Sequence, residues 1–226
     1  MISVTADEMR LIDRYAIDTL GIPSILLMEN AALRTIEKID LARRHSFAVF
    51  CGVGNNGGDG LAIARGLLAL GKKVYTFIVG DREKMTEEFR INYGALERIG
   101  EIYWVETLGD LDLLNEKLDH VNTIVDCLFG TGLNRDIRGT AVVVIEQINR
   151  SRIFTLSVDV PSGLNATTGE SFGAVVDASE VICLQYMKTG LIDSRFVHCP
   201  VHVVPIGIPA LAYERVIGEG VTPEKL

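Results

Sequence analysis

The N-terminal part of the chain shows helical spacing of its apolar residues. A first helix is predicted by a capping box, in which Thr5 is followed three residues later by Glu8, and by apolar positions at helical intervals: Met9, Ile12, Ala16, Ile17 and Leu20. The segment Gly21-Ile22-Pro23 ends this helix, and Ser24 begins a second one. The first 42 residues are therefore predicted to be helical.

The rest of the chain alternates short apolar runs with segments of helix length. Runs without polar alternation indicate strands that are buried on both faces, as in a mostly parallel sheet. Strands are predicted near residues 47–52, 74–79, 102–105, 123–127, 153–160, 181–184 and 201–204. Helices are predicted at 60–70, 84–99, 111–118 and 141–149. This order predicts an α/β protein, a three-layer αβα sandwich with a Rossmann-like, mostly parallel sheet and an N-terminal helical extension.

Length and charge narrow the class of protein. No linker or internal repeat divides the chain, so residues 1–226 are interpreted as a single domain. The 30 acidic residues outnumber the 22 basic ones, and the net charge of −8 disfavours general attraction to nucleic acid or to anionic membranes. No apolar stretch approaches the roughly 18 residues of a membrane span, and the N-terminus lacks a signal-peptide pattern. We expect a cytoplasmic protein without nucleic-acid or membrane partners.

Cysteine and histidine spacing gives no indication of a zinc site. The cysteines are scattered without a C-x-x-C pair and are interpreted as reduced core residues: Cys51, Cys127, Cys183 and Cys199. The Cys199-Pro200 step between His198 and His202 would break a helix that put both imidazoles on one face. An exposed strand or loop is the favoured interpretation of this segment.

The segment from Gly52 to Gly60 is a glycine-rich turn between a predicted strand and a predicted helix. Such turns present backbone N–H groups to phosphates, and the glycines satisfy the spacing G-x-G-x-x-G. The Asn55-Asn56 pair and Asp59 distinguish this turn from that of an ordinary dehydrogenase. A carboxylate at the start of a helix competes with a pyrophosphate, so Asp59 is expected to face a hydroxyl, an amide or a cation.

Three predicted strand ends carry polar residues, and parallel strands direct their carboxyl ends to one edge of a sheet. They are the turn at 54–60, Asp126 with the glycine-rich segment after it, and Asp159, which Ser162 follows. The alternatives are an ion pair with Arg135 or a helix cap for Asp126, and a turn acid for Asp159. Their coincidence at equivalent positions favours one shared ligand site.

Two further features indicate the chemistry of that site. Asn56, Asp126 and Ser162 offer only hard oxygen ligands, which suit an alkali or alkaline-earth cation and not zinc. Lys188 follows the predicted strand at 181–184 and would supply positive charge among the carboxylates. The alternative for Lys188 is a solvated surface lysine.

Four segments together resemble the NAD(P)H-hydrate epimerase family, the YjeF N-terminal domain. They are Leu27-Met28-Glu29-Asn30-Ala31, Gly54-Asn55-Asn56-Gly57-Gly58-Asp59-Gly60, Asp126-Cys127-Leu128-Phe129-Gly130-Thr131-Gly132-Leu133 and Val158-Asp159-Val160-Pro161-Ser162-Gly163. They occur in the order of the family, and the resemblance covers the chain from about residue 5 to 210. Ala32, where the family usually has Gly, and the atypical segment before Lys188 depart from the pattern.

The resemblance implies interconversion of the R and S forms of hydrated NADH or NADPH (NADHX and NADPHX), which carry a hydroxyl at C6 of the nicotinamide ring. A separate ATP- or ADP-dependent dehydratase then restores only the S form. Because the chain ends at residue 226, that enzyme is expected to be another protein, unless this chain is an excised domain. A homodimer packed through the N-terminal helices is also expected.

The resemblance also assigns site residues. It implies one potassium ion per subunit, ligated by Asn56, Asp126 and Ser162, and contact between Asp159 and the nicotinamide end. The residues implied to hold substrate are Asn55, Asn56, Gly57, Gly58, Asp59, Gly130, Thr131, Gly132, Leu133, Asn134, Arg135, Asp136 and Asp159. Our mechanistic hypothesis makes Asp159 the catalytic acid/base, with Lys188 setting its protonation state or positioning the leaving oxygen.

Two other functions are compatible with parts of the pattern. The same domain serves as a dimerising scaffold in messenger-RNA decapping enhancers, but those usually lose parts of the acidic site, whereas Asp59, Asp126 and Asp159 are all present here. A conventional dehydrogenase needs a ribose-binding acid about 20 residues past the glycines, and the nearest candidate, Asp81, comes later.

Overall fold

The computed structural model describes residues 2–219, and its N-terminal region is helical, as predicted. Strand β1 (Ser3–Val4) precedes helix α1 (Ala6–Arg14), a single π-helical turn (Tyr15–Thr19) and helix α2 (Ser24–Lys38). The capping box is present: the Thr5 hydroxyl accepts the Glu8 N–H at 3.2 Å, and the Glu8 carboxylate accepts the Thr5 N–H at 2.7 Å. The capping box therefore sets the start of α1 at the residue that the sequence predicted.

A seven-stranded parallel sheet forms the centre of the molecule. Its strands are β2 (Ser46–Cys51), β3 (Lys73–Ile78), β4 (Glu101–Trp104), β5 (Thr123–Cys127), β6 (Thr155–Val158), β7 (Glu180–Leu184) and β9 (Val201–Val204). The spatial order is β4-β3-β2-β5-β6-β7-β9. The order of strands reverses between β2 and β5, which makes their carboxyl ends the expected place for a ligand.

Helices cover both faces of the sheet. The remaining ones are α3 (Asn55–Ala69), α4 (Glu87–Leu96), α5 (Leu111–Leu118), α6 (Thr140–Ser151) and α7 (Ala210–Tyr213). One apolar core lies under α1 to α4 and α7, and a second lies under α5 and α6. This arrangement confirms the predicted three-layer αβα sandwich with its N-terminal helical extension.

Several predicted boundaries were wrong by a few residues. The helix predicted at 84–99 begins only at Glu87, after a 3-10 turn (Arg82–Lys84), and ends at Leu96. The strand predicted at 153–160 ends at Val158, because the chain turns at Asp159 with a φ of 71°. A two-stranded parallel sheet was not predicted: β1 pairs with β8 (Met187–Lys188), and strands of two residues are too short to show a hydrophobic pattern.

The largest correction concerns the glycine-rich segment, which was predicted to be a turn up to residue 60. Helix α3 begins at Asn55, so Asp59 lies in its second turn instead of at its start. The glycines allow close packing: a Cβ on Gly57 would lie 1.8 Å from the Gly52 carbonyl oxygen, and one on Gly60 would lie 2.7 Å from the Cys51 sulfur. Low helix propensity pointed to a turn, but tertiary packing overrides it here.

The predicted exposed strand or loop around the histidines is confirmed, as is the burial of three of the four cysteines. Cys51, Cys127 and Cys183 are buried and free, and Cys199 is partly buried and also free. His202 lies in β9 and His198 in a loop, both exposed. Within residues 2–219, none of the helices combines the length and the apolarity that crossing a bilayer requires.

Candidate active site

A cleft of about 1280 Å³ opens at the carboxyl ends of β2 and β5. Helix α1, the start of α3 and the segment at 128–135 supply its walls, and Asp159 and Lys188 also line it. The connections that follow β2 and β5 lead to opposite sides of this edge of the sheet, which leaves the cleft between them, as in other open α/β sheets.

Lys188 and Asp159 form an ion pair inside the cleft. The Lys188 ammonium lies 2.6 Å from Oδ1 of Asp159, and the Lys188 side chain is 1% exposed. The same ammonium donates a hydrogen bond to the Leu184 carbonyl. These contacts rule out the alternative of a solvated surface lysine. Because a buried charge without a partner costs several kcal/mol, each side chain depends on the other.

Asp159 is held in one orientation by its second oxygen as well. Oδ2 accepts the backbone N–H of Thr131 at 2.9 Å and also accepts the Thr131 hydroxyl. Burial alone would raise the pKa of Asp159, but the charge of Lys188 and the hydrogen bonds from Lys188 and Thr131 outweigh it and lower the pKa below its usual value. Burial likewise opposes the charge of Lys188, and Asp159 more than compensates, so the Lys188 pKa is raised. Both groups are therefore charged at neutral pH.

Two further carboxyls line the cleft without hydrogen bonds from residues 2–219: Asp59 on α3 and Asp13 on α1. Burial, together with the negative charges of Asp159 and Asp13, raises the pKa of Asp59 well above its usual value. Burial also raises the pKa of Asp13 to about 7, against the opposing effect of Lys188. The site therefore holds an ionised carboxylate beside two carboxyls that retain protons more tightly.

Asp126 and Ser162 form a buried network behind the segment at 128–130. Oδ2 of Asp126 accepts the Ser157 hydroxyl at 2.8 Å and the Ser162 N–H at 2.9 Å, while Oδ1 accepts the Ser162 hydroxyl at 2.5 Å. The Ser162 hydroxyl in turn accepts the Phe129 N–H at 2.8 Å. Burial raises the pKa of Asp126 above its usual value, although these hydrogen bonds partly lower it. The predicted alternative of an Arg135 ion pair for Asp126 does not occur.

Within residues 2–219, Asn56 is the one side-chain amide near the cleft whose buried polar atoms lack partners. Neither Oδ1 nor Nδ2 of Asn56 has a hydrogen-bond partner within residues 2–219. A Cβ on Gly130 would lie 3.1 Å from the Asn56 amide carbon and 2.9 Å from Oδ2 of Asp159, so these three residues adjoin. An orphaned buried amide indicates a missing partner, which an ion, a water or a ligand would supply.

The predicted site residues therefore fall into three groups. Those that line the cleft are Asn55, Asn56, Asp59, Gly130, Thr131, Gly132, Leu133, Asn134, Arg135, Asp159 and Lys188. Asp126 and Ser162 lie behind it, at the Phe129 backbone. Gly57, Gly58 and Asp136 do not contribute to the lining; Gly58 packs against Met28, where an added Cβ would lie 2.6 Å from the methionine methyl.

Asp13 was missed by the analysis of the sequence. It lies between the buried Ile12 and Ala16, on the apolar stripe of α1, where a charged residue is out of place. A charged residue on this apolar stripe was the feature of the sequence that could have identified Asp13 as a site residue. The pairing of Val4 with Lys188, which brings α1 to the cleft, was not predictable from the pattern.

Comparison with known proteins agrees with this geometry. The family model of the YjeF-related protein N-terminus matches residues 24–190. The chain belongs to this family. Among curated relatives, the NAD(P)H-hydrate epimerase of Anaerococcus prevotii is 44% identical over 218 residues, covering 96% of this chain and all of that protein. The epimerase of Oenococcus oeni is 37% identical, covering 85% of this chain and 89% of that one.

Two other matches bear on length and fold. The bifunctional NAD(P)H-hydrate repair enzyme of Moorella thermoacetica is 37% identical over 218 residues, which cover 92% of this chain but 41% of that enzyme. The crystal structure of the yeast protein YNL200c superposes with a TM-score of 0.77 over 90% of this chain and 88% of its own, at 23% identity. That likeness supports the fold described above.

Proposed function

We propose that this protein is an isomerase, an NAD(P)H-hydrate epimerase that interconverts the R and S forms of NADHX and NADPHX. The observation that carries the proposal is the buried Lys188–Asp159 ion pair, 2.6 Å long, in a large cleft at the strand reversal. Relatives of similar length at up to 44% identity bear this name. The scaffold alternative has no comparable support, since Asp59 and Asp159 line the cleft and Asp126 lies just behind it.

Substrate phosphates are proposed to bind at the start of α3. Gly54 caps this helix without any side-chain hydrogen bond, and the first N–H used within the helix is that of Gly58. The N–H groups of residues 55–57 are therefore available to phosphate oxygens, which helix N-termini favour. Arg135, exposed on the opposite segment of the cleft, adds positive charge.

A potassium ion is proposed at Asn56, Asp126 and Ser162. The unpartnered Asn56 amide fits this role, and the set offers only oxygen ligands suited to a hard cation. Asp126 and Ser162 are already hydrogen-bonded to each other, so their part in binding the ion requires exchange of that bond. When bound, the ion would offset negative charge near the phosphates.

The chemistry proposed for Asp159 follows from its ionisation. C6 is bonded to both N1 and the hydroxyl, so acid-assisted departure of hydroxide with the C6–O bonding electrons leaves an iminium that N1 stabilises. Asp159, held ionised by Lys188, accepts a proton from the water that adds at C6, and in the reverse direction it returns that proton to the leaving hydroxyl. Asp159 therefore acts as the general acid/base, and Lys188 sets its protonation state.

We also propose an oligomeric state, a coupled enzyme and a cellular environment for this protein. We expect a homodimer formed through α2, where Leu26 and Leu33 lie two turns apart on one face and are about half exposed (54% and 50%). The bifunctional relative from Moorella supports coupling to a dehydratase. Free cysteines at 51, 127, 183 and 199 support a reducing, cytoplasmic environment.

The direct test is chromatographic. Pure S-hydrate of NADH is incubated with the protein and potassium chloride, and the R-hydrate is quantified over time against a protein-free control. We expect R-hydrate to appear faster with protein until both directions reach the same ratio. No acceleration with either the NADH or the NADPH hydrate would overturn the proposal.

A further inference from the structure

Epimerisation at C6 requires proton transfer on both faces of the nicotinamide ring. The hydroxyl leaves from one face, and water returns on the other. Asp159 is fixed by Lys188 on one oxygen and by Thr131 on the other, so one rigid carboxylate is poorly placed to reach both faces. A second proton-transferring group is therefore expected in the cleft.

Asp13 occupies the cleft wall from a different direction. It projects from α1, which reaches the cleft because Val4 pairs with Lys188 in the small parallel sheet. Within residues 2–219, no donor satisfies its carboxyl, although it is half-buried. Of the two basic residues on its own helix, Arg10 is paired with Asp7 at 2.8 Å and Arg14 with Asp18 at 3.8 Å. A half-buried carboxyl without a structural partner is available to a ligand.

The surroundings of Asp13 shift its pKa in the opposite direction from that of Asp159. The groups that face it are Lys188, Asp159 and, from α3, Asp59. Burial raises the pKa of Asp13, the charge of Lys188 lowers it and that of Asp159 raises it, to about 7 overall. Two carboxyls whose environments drive their pKa values apart are the usual division between an acid and a base.

Asp59 is the competing candidate and is less suitable. It is buried on α3, and burial with the charges of Asp159 and Asp13 raises its pKa well above the ordinary value. A carboxyl buried in the second turn of α3 exchanges its proton with substrate and solvent less readily than the half-buried carboxyl of Asp13 on the cleft wall.

We propose that Asp13 is the second catalytic acid/base of the epimerase and serves the face of the nicotinamide ring opposite to Asp159. This inference rests on the proposed function. Protonated Asp13 gives its proton to the C6 hydroxyl as the C6–O bond breaks, which releases water and leaves the iminium. A water on the Asp159 side then forms the new C6–O bond and gives its proton to Asp159. In the reverse direction the two residues exchange roles, and after a forward turnover solvent returns a proton to Asp13 and removes one from Asp159.

The test compares Asp13→Asn with Asp18→Asn in the full-length protein, with potassium present and spontaneous exchange subtracted. Asp18 lies five residues further along the same stretch, is exposed and, within residues 2–219, pairs only with Arg14. We expect Asp13→Asn to lower kcat about 10²- to 10⁴-fold with KM little changed, and to remove the ionisation near pH 7 from the kcat profile. Asp18→Asn should behave as the wild type.

A second variant keeps the test decisive if Asp13→Asn does not fold. Asp13→Glu retains an ionisable carboxyl and should recover part of kcat with a shifted ionisation. A folded Asp13→Asn with wild-type kcat and pH profile, or an Asp13→Glu with an unchanged profile, overturns the role of Asp13 alone. A wild-type protein that does not exchange the hydrates overturns the proposed function, and this inference with it.

Discussion

The ammonium of Lys188 lies 2.6 Å from Oδ1 of Asp159, and both side chains are buried in the cleft. Lys188 follows β7 in β8, whereas Asp159 follows β6 at a residue with a φ of 71°, so the pair joins two separate chain segments. A non-glycine residue at positive φ is strained, and such strain tends to persist where the surroundings enforce a functional geometry.

Replacing Asp159 by Asn should abolish proton transfer and keep the shape of the side chain. We expect kcat to fall by about 10²-fold or more while the hydrate still binds. Turnover is measured by chromatography of the two epimers, and binding by calorimetry. Asp177→Asn, an exposed acid outside the cleft, is the matched control. Near-normal turnover in Asp159→Asn would remove Asp159 from the acid/base role.

Replacing Lys188 by Met should leave the Asp159 carboxylate buried without its counter-charge. We expect a loss of about 3–5 kcal/mol in the free energy of unfolding at pH 8, measured by urea denaturation. The pKa of Asp159 then rises, so the loss should shrink as the pH falls and Asp159 takes up a proton. The double variant Lys188→Met/Asp159→Asn should be more stable than Lys188→Met at pH 8; an equal or lower stability would contradict the ion-pair account.

Potassium should stabilise the fold through Asn56. At a concentration 100 times its Kd, a ligand that binds only the native state adds about 2.7 kcal/mol to the free energy of unfolding. We expect Tm to rise in potassium chloride relative to choline chloride, and the rise to vanish in Asn56→Ala but not in Asn55→Ala. An identical Tm for the wild type in both salts would argue against the ion.

The close approach at Gly57 should make it intolerant of a side chain. An added Cβ lies 1.8 Å from the Gly52 carbonyl oxygen, so Gly57→Ala should cost about 3 kcal/mol or more in the free energy of unfolding. An added Cβ on Gly54 would meet no atom of a residue distant in sequence within 4 Å among residues 2–219, and its φ is −90°, so Gly54→Ala should cost about 1 kcal/mol or less. Thermal unfolding of both variants measures the difference, and equal costs would contradict the observed packing of α3.

Asp13 should leave a signature in stability that is independent of catalysis. Its pKa rises from 3.8 to about 7 on folding, so the folded state holds this proton more tightly than the unfolded state. The resulting stabilisation is fully present below pH 3.8 and is lost as the pH rises to about 7. Asn cannot ionise, so the Tm of Asp13→Asn minus that of the wild type should increase from pH 4 to pH 8. A difference that stays constant over this range would show that Asp13 ionises normally.

Predictions from the sequence were most accurate where one local rule governs the structure. The Thr5–Glu8 capping box placed the start of α1, and the continuous apolar runs located all strands of the main sheet. They failed where packing competes with propensity, as at α3, because a glycine-rich segment becomes helical only when its neighbours require a close approach. The β1–β8 sheet depends on two residues in each strand, which carry no periodic signal.

Sequence alone determined that the glycine-rich segment, Asp126 and Asp159 come to one edge of the sheet, since consecutive buried strands joined by helices run parallel. It did not determine which carboxyl carries a charge. Only the tertiary structure decides that Lys188 keeps Asp159 ionised and that Asp13, which lacks a hydrogen-bond donor within residues 2–219, has its pKa raised to about 7. Ionisation depends on burial and on charges from distant parts of the chain, and no spacing along a sequence encodes those distances.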